Sequence, residues 1–203
     1  RDLTKPMGAQ DPDRLEKFLR KYRDLVELED EHGPYHYGSH YSSVGSVLHY
    51  LVRLEPFTQL FLELQSGKFD FADRTFFSIE QSWNLSSKLS PADVKELTPE
   101  FFFLPEFLLN ANECPFGETQ NGHLVGDVVL PPWAKGSARR FIRMHRRALE
   151  SDYVSSKLNA WIDLVFGSKQ KGPAATEAYN LFLPQSYEGN VDIESVEDAV
   201  DRE

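Results

Sequence analysis

Residues 99–109, with the sequence PEFFFLPEFLL, restrict the fold of this chain more than any other segment. Pro99 and Pro105 leave no room for a long helix, because proline has no amide hydrogen and disfavours helical geometry in the residue before it. The four phenylalanines and three leucines of the segment are too apolar for a solvent-exposed loop. The segment therefore predicts irregular backbone inside a core.

Buried backbone outside helices and sheets needs hydrogen-bond partners from side chains. The polar residues in and next to this segment are the natural candidates, because buried polar groups are almost always hydrogen-bonded. We expect their side chains to bond to irregular backbone rather than to a ligand. These residues are Glu100, Glu106, Asn110 and Asn112.

Helical patterns surround this irregular segment. Apolar residues at i, i+3 and i+4 spacing run from Val44 to Val52 and resume after Pro56, which predicts two helices separated at the proline, with Gly67 as the end of the second. Asp11 before Pro12 predicts a capped helix start. Similar signals predict helices at 90–97, after Ser137 and over 154–165, and a short strand at 125–130.

Large apolar side chains on these patterns form the predicted core. Aromatic stripes of this kind are usually buried rather than functional. The charged residues Arg53 and Glu55 lie near the end of an apolar helix, where burial of a lone charge is unfavourable. We expect an internal ion pair, with each other or with distant partners across the core; the alternative is a recognition pair. The predicted core residues are Leu51, Phe57, Phe61, Trp83, Phe102, Phe107 and Trp161.

The charge balance argues against nucleic acid as a partner. The chain has 32 acidic and 22 basic residues and a net charge of -10, whereas a phosphate backbone requires a basic surface. Against this background, five arginines fall within nine residues. They indicate either a solvated helix face or a docking site for acidic partner segments or anionic lipid headgroups. They are Arg139, Arg140, Arg143, Arg146 and Arg147.

A loop rich in tyrosine and histidine, residues 35–43, contains His36, Tyr37, His40 and Tyr41. Two histidines four apart suit a metal site only on a helix, and the neighbouring Gly-Pro and glycine argue against a helix. No glutamate or cysteine completes a ligand set. We therefore expect no metal and no cofactor, and interpret the loop as a buried hydrogen-bonded cluster or, alternatively, a partner-binding surface.

Other features favour a non-catalytic cytoplasmic protein. No run approaches eighteen apolar residues, no N-terminal signal pattern is present, and the single cysteine, Cys114, suits a reducing compartment. Cys114 and His123 are the only conceivable thiol and imidazole pair, and neither lies in a recognisable catalytic motif.

Several long strings resemble the BEACH domain of the Beige/Chediak-Higashi and neurobeachin proteins, in order along the chain. The resemblance implies a mainly α single domain of short to medium helices around a core with irregular extended segments and few or no strands. The strings are GPYHYGSHYSS, YLVRLEPFTQLFLELQSGKFDFADRTF, ADVKELTPEFFFLPEFLLN, GDVVLPPWAKG and WIDLVFGSKQKGPAA.

By this resemblance, residues 1–203 are expected to be a partial BEACH domain that lacks its first part, its C-terminal end and an upstream PH-like domain, with 190–203 as a disordered acidic tail. In many relatives a histidine pair precedes the YEG element. Here the sequence is Leu183-Pro184-Gln185, so no role of those histidines transfers to this chain.

The resemblance also implies a function. BEACH proteins are large peripheral proteins of vesicle trafficking, lysosome-related organelles, autophagy and receptor signalling, often with a WD-repeat propeller. We therefore expect a scaffold or adaptor, cytoplasmic and peripheral to endomembranes, that binds a PH-like domain in cis and other polypeptides. The alternative is a phosphoinositide-binding module that uses the arginines of 139–147 on an anionic membrane.

Overall fold

The computed structural model describes residues 1–30, 32–187 and 189–190. The fold is mainly α, as predicted, and strand pairing in these residues is limited to isolated bridges. No helix in these ranges is both long and apolar enough to cross a bilayer. The helices are α1 (Pro12–Glu27), α2 (Val44–Leu51), α3 (Phe57–Leu64), α4 (Ile79–Asn84), α5 (Ala138–Leu149), α6 (Asp152–Ser155), α7 (Leu158–Val165) and α8 (Gly172–Glu177).

Local signals set the ends of the first three helices. Asp11 caps α1 by accepting a hydrogen bond from the Arg14 amide, and Pro12 occupies the first helical position. The break at Pro56 separates α2 from α3, as predicted. Gly67, at φ +83°, donates its amide to the carbonyl of Leu62 at 2.7 Å and closes the turn after α3.

Residues 99–109 form no α-helix, as predicted, but they lie only partly inside the molecule. Phe101, Phe107 and Leu108 are buried, whereas Phe103 is 57% and Leu109 38% exposed. The segment forms two short 3₁₀ turns, Pro99–Phe102 and Pro105–Leu108. Phe107 is fully buried at the centre of the largest core cluster. That cluster contains Tyr50, Leu51, Phe76, Phe101, Phe107, Leu108, Val128, Ala134, Ala138, Phe141 and Ile142.

Asparagine side chains support this irregular backbone, as expected. Asn110 accepts from the Cys114 amide at 2.9 Å and donates to its carbonyl at 3.0 Å, and Asn112 donates to the Arg53 carbonyl at 3.1 Å. The same expectation is wrong for the two glutamates. Glu106 is exposed, and a buried carboxylate oxygen of Glu100 has no hydrogen-bond partner.

Two smaller clusters complete the core. The second lies around Phe61 and Phe116. The third joins distant parts of the chain, because Tyr37 packs on Phe182 and Phe18, and the backbone at Tyr37 pairs in parallel with Phe182. Its buried members are Met7, Phe18, Tyr37, Val94, Phe182 and Tyr187.

Two buried arginines bind carbonyl groups of irregular segments. Arg53 lies over the ring of Phe116 at 4.8 Å and donates to the Gly126 and Phe76 carbonyls. Arg14 donates to the carbonyls of Met7, Ser86, Ser90 and Asp93. The predicted ion pair between Arg53 and Glu55 is therefore wrong, since Glu55 is exposed and its carboxylate accepts from Gln59.

The predicted helix at 90–97 and the predicted strand at 125–130 are also absent. The Ser90 hydroxyl accepts from the Asp93 amide as a cap would. The carbonyl of Asp93 is taken by Arg14, which removes an acceptor that a continuing helix would need. Residues 125–130 contribute only a bridge between Val129 and Ser78.

Trp83 and Trp161 do not fit the predicted core. Trp83 is 39% exposed, because the inward face of α4 and the following turn carries the small residues Ser82, Ser86 and Ser87. Trp161 is half-buried. The helix predicted over 154–165 is divided into α6 and α7, and α7 buries Leu164 and Val165 instead of the tryptophan.

The other predicted core residues lie in or against the clusters. Leu51, Phe61 and Phe107 are buried, and Phe57 and Phe102 pack against the clusters while partly accessible. The predicted tail at 190–203 lies, apart from Asn190, outside the described residues.

Candidate functional site

Helix α5 carries the arginines that the sequence singled out. A tight turn with positive φ at Lys135 and Gly136 leads into it, and the Ser137 hydroxyl caps it by accepting from the Arg140 amide at 3.2 Å. Phe141 and Ile142 are buried on the inner face, where α5 packs against both 3₁₀ turns. The helix is therefore fixed to the rigid centre of the domain.

His145 lies among aromatic rings on the inner side of α5. Its ring centroid is 4.1 Å from that of Phe141, 5.8 Å from Phe102 and 6.1 Å from Trp133. Burial lowers the pKa of His145 to about 4. The imidazole is neutral at pH 7 and adds no charge beneath the arginines.

Four arginines project from the outer side of α5: Arg139, Arg143, Arg146 and Arg147 are all exposed. Their spacing of i, i+4, i+7 and i+8 places them along one side of the helix. Arg140 differs, because it is half-buried and donates from Nε to the Trp133 carbonyl at 2.9 Å. The sequence grouped all five arginines together, and the structure separates one of them as structural.

No carboxylate among the described residues forms an ion pair with these four arginines. They border an open groove of about 500 Å³. The half-buried Pro105 and the aliphatic stems of the arginines provide apolar surface in this groove, and Ile142 lies beneath it at 5% exposure. Glu150 lies at its C-terminal end. The four exposed arginines and this groove are called the arginine groove below.

Sequence reasoning missed the apolar part of the arginine groove. Pro105 and Ile142 are 37 positions apart, and only the packing of the second 3₁₀ turn against α5 brings them together. Each was recognisable as apolar core. No local sequence pattern indicates that Pro105 and Ile142 would line a groove beside the arginines.

The tyrosine and histidine loop is buried at His36 and Tyr37 and half-buried or exposed elsewhere. His36 and Tyr37 are each 1% exposed, so the prediction that they contact partners is wrong. The ring of His36 stacks on Tyr22 at 4.7 Å, and its Nδ1 accepts from the Leu181 amide at 3.3 Å. Burial lowers the pKa of His36 to about 4. The Tyr37 hydroxyl donates to the Tyr179 carbonyl at 2.6 Å.

His40 and Tyr41 are half-buried in the same loop. The Tyr41 hydroxyl donates to the Val165 carbonyl at 3.0 Å, and burial raises the pKa of Tyr41 to about 12. His40 packs on Phe182 at 4.6 Å, and burial lowers its pKa. The described residues contain no group of three potential metal ligands. His36 and Tyr37 belong to a buried hydrogen-bonded cluster, whereas the glycine and serines at 38, 39, 42 and 43 are exposed, so a partner surface on this loop stays a prediction.

The single cysteine lies in another open groove, of about 410 Å³. Burial raises the pKa of the Cys114 thiol, which disfavours the nucleophilic thiolate. His123 is exposed and packs on Phe77 at 5.6 Å. It does not line the groove that contains the thiol.

Comparison with known proteins places these features in a family. The model of the Beige/BEACH domain matches residues 1–203. The chain is 54% identical to mouse "WD repeat- and FYVE domain-containing protein 4" over 98% of its length, which is 6% of that protein. It is 52% identical to "Beige protein homolog 1" of Saccharomyces cerevisiae over 100% of its length and 9% of that protein. It is 51% identical to human "Lysosomal-trafficking regulator" over 100% of its length and 6% of that protein.

Proposed function

Because this chain belongs to the BEACH domain family, we propose that it is a non-catalytic scaffold module that holds partner polypeptides during vesicle trafficking. It spans only 6% to 9% of the relatives named above, so their names describe much longer proteins. One of them is named as a regulator of lysosomal trafficking. A module within such a protein acts by positioning other components, including a PH-like domain of the same protein, beside endomembranes.

The observation that supports this proposal is the arginine groove. Exposed charges of one sign on a rigid helix, without ion pairs among the described residues, are available to a partner. Arginine binds carboxylates through two parallel hydrogen bonds, which suits recognition of acidic chains. The Cys114 thiol is not combined with the His123 imidazole, since burial disfavours its thiolate and His123 does not line its groove.

The test is affinity capture with the chain and two matched charge variants. In the first, Arg143→Glu and Arg147→Glu reverse the charge of the arginine groove. In the control, Lys17→Glu and Arg20→Glu reverse two exposed charges on α1. We expect a set of proteins that the wild-type chain and the control retain and the groove variant loses.

Identical sets from all three proteins would overturn the assignment to the arginine groove. If the wild-type chain captures no protein, the proposed scaffold function is wrong. Circular dichroism melting of each variant establishes that folding is intact, because exposed substitutions change stability by only about 0.5 kcal/mol.

The same four arginines support a second candidate, a phosphoinositide-binding module at an anionic membrane. Clustered cations near a membrane surface contribute about 1 kcal/mol each. Sedimentation with phosphatidylcholine vesicles, with and without phosphoinositides, tests it. Lipid binding through this face should weaken steeply with salt and be lost in the groove variant.

A further inference from the structure

We propose that the arginine groove is the receptor for an acidic amphipathic peptide segment of a partner protein, an inference that rests on the scaffold function above and specifies its ligand. The apolar side chains of the peptide enter the groove against Pro105 and Ile142. Its carboxylates pair with Arg139, Arg143 and Arg147. The combination of an apolar floor and a cationic border carries the proposal.

The shape of the site favours side chains over headgroups. The groove of about 500 Å³ is open to solvent along α5, so it can take side chains of a segment that lies across it. Pro105 and the aliphatic stems of the arginines give it apolar surface, with Ile142 beneath, that a sugar or phosphate headgroup would not match. A leucine or isoleucine side chain would bury that surface and gain hydrophobic stabilisation.

The repeat of the arginines matches that of a helical peptide. Arg139, Arg143 and Arg147 recur every four residues, which corresponds to about 6 Å along the α5 axis. Glutamates at the same spacing on a bound helix recur at the same interval. Successive carboxylates can therefore meet successive guanidinium groups while the apolar side of the peptide faces the groove.

The charge of the rest of the chain also favours a peptide over a membrane as the ligand of the arginine groove. The chain carries a net charge of -10. A planar anionic bilayer must approach over a wide area and meets this negative field, whereas a narrow peptide needs only the arginine groove. At physiological ionic strength the screening length is about 8 Å, so a local cationic border remains effective for a segment that enters it.

Glu150 gives the site a direction. It lies at the C-terminal end of α5, where the helix dipole is also negative. Carboxylates of the peptide are favoured where they lie beside the arginines between Arg139 and Arg147. They are disfavoured next to Glu150. A peptide with its acidic residues concentrated at one end should therefore bind in one orientation only.

The experiment uses fluorescence anisotropy with a labelled synthetic helical peptide. Leucine recurs in it at i, i+3, i+4 and i+7, and glutamate fills the flanking positions. Two control peptides replace either all glutamates by glutamine or all leucines by serine. The protein is the whole chain, as wild type, as Arg143→Gln with Arg147→Gln, and as the α1 control Lys17→Gln with Arg20→Gln.

We expect the parent peptide to bind wild type and the α1 control equally. Loss of two ion pairs in the groove variant should weaken binding about tenfold, equivalent to about 1.4 kcal/mol. Both control peptides should bind wild type at least tenfold more weakly than the parent peptide does. One lacks the carboxylates and the other lacks the apolar side chains. The apolar contact is tested by substitution in the peptide and not at Ile142, because Ile142 also belongs to the core and its substitution would destabilise the protein.

Three results would overturn the proposal. These are equal binding of the parent peptide to the groove variant, equal binding of the serine peptide, and absence of peptide binding while phosphatidylserine vesicles bind in an arginine-dependent way. The scaffold function fails separately. If affinity capture depends on Arg143 and Arg147 but the peptide does not bind, the adaptor remains and only its proposed ligand chemistry is wrong.

Discussion

The guanidinium of Arg53 donates two hydrogen bonds to the Gly126 carbonyl, from Nε at 3.0 Å and from Nη2 at 2.7 Å. Its Nη1 donates to the Phe76 carbonyl at 2.5 Å. Burial lowers the pKa of Arg53 to about 10, which leaves it protonated at pH 7. Arg53, two positions after α2, thus fixes two segments that have no regular structure.

Substitution of Arg53 by methionine should strongly destabilise the fold. Two buried carbonyls would lose their donors, each at a cost of about 1–3 kcal/mol. Urea denaturation measures the loss. The matched control is Arg20→Met on the exposed side of α1, which should change stability by about 0.5 kcal/mol or less. Equal denaturation midpoints for the two variants would contradict the structural role of Arg53.

Gly8 should not tolerate a side chain. A Cβ at this position would lie 2.1 Å from Cε1 of Tyr37, whose ring is buried. We expect Gly8→Ala to destabilise the protein by about 1–3 kcal/mol through overpacking. Gly126→Ala serves as control, because its Cβ would meet no atom within 4 Å. Thermal melting that ranks the two variants in the opposite order would refute this packing.

Acidification should destabilise the domain partly through His145. Burial lowers the pKa of His145 to about 4, below its unfolded value of about 6.5. Between these values the unfolded chain binds more protons, so the contribution is complete above pH 6.5 and decreases toward pH 4. We expect His145→Phe, which retains a ring in the aromatic surroundings, to reduce the loss of melting temperature between pH 7 and pH 5.

The control for this pH dependence is His123→Phe, at an exposed position. Its pH dependence should match that of the wild type. If His145→Phe also matches the wild type over this range, the buried neutral imidazole does not contribute to acid sensitivity.

Substitution of Phe107 should destabilise the fold more than substitution of Trp83. Phe107→Ala removes a fully buried ring from the largest cluster and should cost about 3–5 kcal/mol. Trp83→Ala removes a ring that is 39% exposed and should cost clearly less. Guanidinium denaturation of both variants measures the difference in unfolding free energy. A larger loss of stability for Trp83→Ala than for Phe107→Ala would show that Trp83 contributes to the core.

Local chemistry explains what could be predicted from the sequence. Asp11 and Ser137 accept from amides within three residues, and Pro56 and Gly67 act on adjacent backbone. The irregular segment after Pro99 was predictable for the same reason, since proline spacing and apolar content are local properties. None of these features depends on which distant segment lies nearby.

Long-range contacts explain the rest. The Ser90 hydroxyl accepts from the Asp93 amide as the local sequence predicts, but Arg14, 79 positions before Asp93, binds the Asp93 carbonyl and no helix follows. The partners of Arg53, Phe76 and Gly126, are 23 and 73 positions away. In the candidate site, the sequence identified the arginines, whereas the groove required Pro105 and Ile142 to meet through tertiary packing.

The pairing of Tyr37 with the segment around Phe182 has a consequence for biosynthesis. The Tyr37 amide donates to the Leu181 carbonyl at 3.2 Å, and the Leu183 amide donates to the Tyr37 carbonyl at 2.9 Å. Contacts between such distant positions form only after a long loop closes, which slows folding. A ribosome must therefore release residues through Tyr187 before the third core cluster can assemble, and until then Phe18 and Tyr37 present an apolar surface that chaperones can bind.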